Sequence, residues 1–115
     1  MGPAVSVFIV PYPQSAKKPL TLKPIGQLEI GHAVSGDMFS DGSILIKSYL
    51  AVYYWKRIGN ETVEQALRRS FTLIPYIPEP QGEGICWDEN GKGFFTISEE
   101  KWNIPARLYY YPRMN

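Results

Sequence analysis

The amino-acid sequence predicts an all-β fold, and three observations carry that expectation. Gly and Pro together supply 20 of 115 residues and are spread along the whole chain. Between them lie short runs rich in β-branched and aromatic residues, with aromatics at 14 % of the composition. Such frequent punctuation leaves little room for helices, which need longer unbroken stretches.

The elements follow in order. Val5 to Val10 is a strand stopped by Pro11 and Pro13, because proline has no donor for a sheet ladder. Gln14 to Pro24 is an exposed loop with two Lys and two Pro, and Ile25 to Ile30 is the next strand, broken by Gly31. Val34 to Phe39 and Ser43 to Tyr49 form a hairpin around Ser40-Asp41-Gly42, where Gly accepts positive φ and Asp bonds the turn's own backbone. Leu50 to Lys56 is a fifth strand. Asn60 to Arg69 is the single predicted helix, short and lying on the surface, with Val63, Ala66 and Leu67 on one face, Glu61 and Glu64 early, and Arg68 and Arg69 late. Phe71 to Tyr76 is the sixth strand. Gly82 to Trp87 and Lys92 to Ser98 pair around Asp88-Glu89-Asn90-Gly91, and Arg107 to Tyr111 is the ninth, stopped by Pro112.

The two Gly turns sit 49 positions apart at Gly42 and Gly91, each followed by an apolar strand ending in Ser, at Ser48 and Ser98. A period of about 40 to 50 residues with four strands per unit is the signature of a β-propeller blade. The expected fold is therefore a partial β-propeller of about two and a quarter blades of four antiparallel strands. Residues 5–30 give the last two strands of one blade, 33–76 a complete blade, and 82–111 the first three strands of the next. A closed ring of six such blades needs about 24 strands. The chain is then either a piece of a longer propeller or a unit that joins others through its exposed sheet edges.

Charge and composition narrow the function classes. Twelve Lys+Arg against eleven Asp+Glu leave a net charge of +1, with no basic footprint for nucleic acid. The apolar runs are shorter than a bilayer requires, so neither a membrane span nor a signal peptide is expected. One Cys excludes an internal disulfide, and one His excludes the usual Cys/His zinc set.

The segment Val34-Ser35-Gly36-Asp37-Met38-Phe39-Ser40-Asp41-Gly42, then Lys47-Ser48-Tyr49, Tyr54-Trp55, Glu79-Pro80-Gln81-Gly82-Glu83-Gly84-Ile85 and Phe94 to Glu99, resembles a family of exported bacterial six-bladed-like β-propellers, mostly uncharacterised. The resemblance covers about Val5 to Tyr111 and is most specific over Glu79 to Glu99. The family's series runs Thr-Gly-Ala-Asp, Ser-Pro-Asp-Gly, Arg-Thr-Tyr, Trp, Pro-Gln-Gly-Glu-Ala and Ile-Ser-Glu. Here Val34-Ser35-Gly36 and Phe39-Ser40 depart from it, and Lys47 stands in place of the Arg, a point charge instead of a planar fork. The resemblance implies the propeller fold and an extracellular or periplasmic location. It assigns no catalytic residue.

Asp37 and Glu83 fall on the first strands of successive blades, with Gln81 just before. Converging on a central pore, they would offer hard oxygen ligands to Ca²⁺ or Mg²⁺; alternatively they cap turn amides or bond the neighbouring blade's backbone. With Tyr49 and Glu99 they make up the candidate ligand-binding set, and no cofactor is required. Asp88 to Gly91 lacks the spacing of a calcium loop and is expected to be a hairpin turn. His32 lies in a loop and no partner at a recognised spacing makes it a catalytic base. Ser35, Ser40 and Ser98 match no nucleophile motif. Cys86 is expected in the core as a small apolar residue. The aromatics Tyr53, Tyr54, Trp55, Tyr109, Tyr110 and Tyr111 serve packing between blades or stack on a sugar ring. Asn60-Glu61-Thr62 forms a glycosylation sequon. The leading functional expectation is a non-enzymatic binding or structural module with a small-molecule or carbohydrate ligand, or further blades, as partner. The alternative is a metal-dependent hydrolase of the esterase, lactonase or phytase-like propeller type, built on Asp37 and Glu83.

Overall fold

In the computed structural model, which describes residues 2–113, the regular secondary structure is mostly β-strand, in antiparallel sheets. It divides into two compact units, Met1–Gly31 and His32–Asn115. In the first, β1 (Val5–Ile9) pairs with β2 (Lys23–Leu28). The register shifts between Val7 and Phe8, which lie opposite Gly26 and Pro24. Ile25 is the extra residue of this bulge, so β2 starts earlier than the sequence suggests and includes Pro24, a residue that sheets accept at bulges and edges.

The second unit holds two sheets. The first has the order β3 (Ser35–Met38), β4 (Ile44–Lys47), β5 (Val52–Trp55), β6 (Thr72–Ile74), and the second β7 (Gly82–Trp87), β8 (Gly93–Ser98), β9 (Leu108–Pro112). The helix α1 (Val63–Leu67) connects β5 to β6. It is shorter than Asn60 to Arg69 because Thr62 caps it: the Thr62 hydroxyl accepts from the Gln65 amide and the Gln65 side chain accepts from the Thr62 amide, satisfying two amides at the helix start. Ala66 is its buried contact. Pro112 extends β9 by one residue opposite Gly93 instead of stopping it; at a strand's last position a missing donor costs little.

The 49-residue spacing recurs in the hydrogen bonds. Met38 lies opposite Ile44 as Trp87 lies opposite Phe94, an offset of 49 before the turn and 50 after it. The added residue is Lys92, whose amide is taken by the Asp88 carboxylate at 2.9 Å. After the hairpin, the Ser48 amide donates to the Ala51 carbonyl while the Ala51 amide donates to Ser48 Oγ. Ser98 and Arg107 repeat the same pair of bonds. β3–β4–β5 and β7–β8–β9 are thus two copies of one three-stranded unit.

The core lies between these sheets. Leu45 and Val52 meet Ile85, Trp87 and Phe94, with Phe39, Tyr54, Ile74, Tyr76 and Tyr111 around them. Fully burying side chains of this size stabilises by about 1.5–3 kcal/mol each. Cys86 is not part of it: alternation along β7 turns Ile85 and Trp87 inward and leaves Cys86 exposed, contrary to its expected core position.

Candidate functional site

The cross-strand pairs Ser35–Lys47 and Asp37–Leu45 place these four side chains on the face of the first sheet that meets β7. There the Ile85 amide donates to Ser35 Oγ at 3.2 Å and the Trp87 amide to Asp37 Oδ2 at 2.8 Å. Asp37 Oδ1 accepts from the Met38 amide. Two amides on the outer edge of β7 are thereby taken by side chains of β3 instead of a ladder partner. Asp37 bonds the neighbouring sheet's backbone.

A polar cluster stands at the start of β7. Lys47, wholly buried, donates from Nζ to the carbonyls of Ser48 and Gly82, and the ammonium sits 4.6 Å from the centre of the Tyr76 ring. Burial pulls the Lys47 pKa below its usual value, against the opposing pull of the Glu79 and Glu83 carboxylates. Tyr76 donates to Glu79 Oε1 at 3.2 Å, and burial followed by the Glu79 charge drives its phenol pKa upward. Glu79 Oε2 is buried without a hydrogen-bond partner among the described residues. Gly82 is required here, because a Cβ would stand 2.8 Å from Glu79 Cγ and 3.0 Å from the Tyr76 hydroxyl.

Of the sequence-predicted residues, Tyr49 and Glu83 meet directly. The Tyr49 hydroxyl donates to Glu83 Oε2, and that bond, with some desolvation and the charges of Glu83 and Glu99, raises its pKa. Gln81 and Glu99 are joined through the backbone, the Glu99 amide donating to the Gln81 carbonyl at 3.2 Å. Asp37 is not brought to this group. β3 and β7 run side by side with Asp37 level with Trp87, which leaves Glu83 four residues back along β7, about 13 Å at ~3.3 Å per residue. The expected convergence of Asp37 and Glu83 is therefore absent, and among the described residues no group of three or more His, Cys, Asp or Glu stands ready for a metal ion.

The remaining candidates have structural employment. Asp88 accepts from the Asn90 and Lys92 amides and from the Tyr110 hydroxyl, making the segment a hairpin turn. Ser98 is held by Arg107, and His32 lies outside the strands with φ 48°. Sequence reasoning noticed Lys47 only as a departure from a family pattern and missed Tyr76 and Glu79. The internal repeat held the signal: Lys47, opposite Val52, corresponds to Ile97, opposite Leu108, an apolar position of the unit.

Chemically, the Lys47 ammonium is committed to two carbonyls and ties the end of β4 to the start of β7. Tyr49 and Glu83, closer to solvent, present a phenol and a carboxylate suited to hydroxyl-bearing ligands. No helix among the described residues is long and apolar enough to cross a membrane. Comparison with known proteins finds no matching family model, no matching curated protein and no matching solved structure.

Proposed function

We propose that the chain is a non-enzymatic binding or structural module of β-propeller type, in which the two sheets of the second unit are successive blades and assemble with further blades. One observation carries this. On the first sheet, Leu45, Lys47 and Val52 are almost wholly buried, on the face that meets the second sheet. By the repeat, the equivalent positions on the second sheet are Phe95, Ile97 and Leu108, and Ile97 and Leu108 are 49 % and 64 % exposed. Tyr110 and Cys86, equivalent to Tyr54 and Asp37, share that face and are exposed as well. An apolar face that is covered in one copy of a unit and bare in the next is the place for another sheet of the same construction.

The natural test is self-association. Light scattering after size exclusion is expected to show a mass above the monomer that falls on dilution. Ile97→Lys, at an exposed position that leaves the fold intact, is expected to return the monomer. A wild-type chain that stays monomeric at high concentration and gains no mass when mixed with a longer tandem of the same repeat contradicts the proposal. Tyr49 and Glu83 then lie at the end of the seam between blades, where a small hydroxylated ligand would bind.

A further inference from the structure

Away from the Tyr49–Glu83 end, the outer parts of the two sheets enclose a cavity of about 500 Å³, within the range of about 300–1,000 Å³ common for small-molecule sites. Four aromatic side chains form much of its lining. Phe94 and Tyr111 stack with ring planes 12° apart and centres at 5.1 Å, and Trp87 meets the edges of Phe94 and Tyr54 at 6.4 and 6.2 Å.

Among the described residues, Lys56 and Arg113 are the charged side chains of the lining, both cations, with no carboxylate beside them in it. Arg113 is already engaged. Its guanidinium lies 4.9 Å from the Trp87 ring centre, donates to the Tyr54 hydroxyl at 2.9 Å and Ser43 Oγ at 3.0 Å, and stands 3.5 Å from Asp41. It holds the aromatic wall in place. Lys56 is exposed, and its ammonium makes no ion pair among the described residues.

A lining of aromatic rings set stacked and edge to face, with a cation at the rim that pairs with no carboxylate among the described residues, selects a particular chemistry. We infer that this cavity binds a small planar organic anion, its apolar body among the half-buried Tyr54, Ile74 and Tyr111 side chains next to Trp87 and its carboxylate at Lys56. This site is independent of the proposed assembly, since it lies between two sheets of a single chain and not on the bare face.

The probe is naphthoate, with naphthylmethanol as its uncharged counterpart. Calorimetry is expected to give one naphthoate site per chain and weaker binding of the alcohol. Lys56→Gln, a change at an exposed position, is expected to weaken naphthoate about five-fold, the equivalent of about 1 kcal/mol for a rim ion pair, and to leave the alcohol unaffected. Ile74→Trp, which fills the cavity, is expected to abolish both; its fold is checked by circular dichroism. In parallel, naphthoate is expected to move the Trp87 indole and Tyr111 resonances of the wild-type chain. Equal affinity for the two probes, or shifts confined to Ile97, Leu108 and Tyr110, would overturn the assignment.

Discussion

Replacing Asp37 separates its two possible roles, backbone acceptor and metal ligand. In Asp37→Ala the Trp87 amide, now donating at 2.8 Å to Oδ2, loses its acceptor inside the seam between β3 and β7. A hydrogen bond to a charged group contributes about 1.5–3 kcal/mol, and an orphaned buried donor costs a similar amount, so the loss is about 2 kcal/mol. For a domain of this size that lowers Tm by roughly 8–16 °C. Asp37→Asn keeps an oxygen for the Trp87 amide and is expected to cost less than about 1 kcal/mol. Ser35→Ala removes the neighbouring, longer bond to the Ile85 amide and is expected to cost about 1 kcal/mol, coupled to Asp37 because both hold the same strand edge. Thermal melts of the three variants, with and without Ca²⁺, make the assay. If Asp37→Asn falls as far as Asp37→Ala, or if Ca²⁺ raises the wild-type Tm and Asp37→Asn removes that rise, the carboxylate charge matters for a ligand and the seam account is refuted.

Lys47→Ala truncates a wholly buried side chain and strips a donor from the Ser48 and Gly82 carbonyls. A cost of about 3–5 kcal/mol is expected in urea titration, whereas Lys47→Met keeps the volume, discards a charge that burial disfavours, and is expected to stay nearer the wild type. The alkaline limb of stability tests Tyr76. Its folded pKa is raised above the ordinary 10.0, so the unfolded chain loses the proton first and stability falls as pH rises beyond about 10. Tyr49 and Tyr110, raised by their bonds to Glu83 and Asp88, act in the same direction. The lowered pKa of Lys47 has the opposite sign, adding stability as pH climbs from its folded value to 10.5. Tyr76→Phe is expected to flatten the fall above pH 10 in chemical denaturation; an unchanged slope would contradict the burial of that hydroxyl.

The strands were legible because their ends are written in backbone chemistry. Gly42 and Gly91 occupy positive φ at the two hairpin turns, and Asp41 and Asp88 accept from the turn amides. Side-chain facing was harder. Cys86 lies between two apolar neighbours, and composition places it inside; only strict alternation from Ile85 and Trp87 turns it outward. Asp37 and Glu83 both fall on first strands of the repeat, but their heights along those strands depend on how β3 and β7 slide past each other. That slide is set by the Ser35 and Asp37 bonds to amides fifty residues away, a relation no local pattern contains. Lys47 was hidden by its type, since lysine is almost never fully buried without partners. Arg113 lies just beyond the last strand, where sequence patterning ends, and its partners Ser43 and Tyr54 are distant along the chain.

The serine pairs at Ser48–Ala51 and Ser98–Arg107 close two connections of very different length with the same two bonds. Two residues intervene in the first and eight in the second, yet the strands beyond keep equivalent partners, Lys47 with Val52 and Ile97 with Leu108. The clasp therefore insulates strand register from whatever lies outside it. Because the entropy of closing a loop grows only with the logarithm of its length, this corner is a grafting point. A foreign peptide inserted between Ser98 and Arg107 would be displayed at the sheet's end with its two stems held a fixed distance apart.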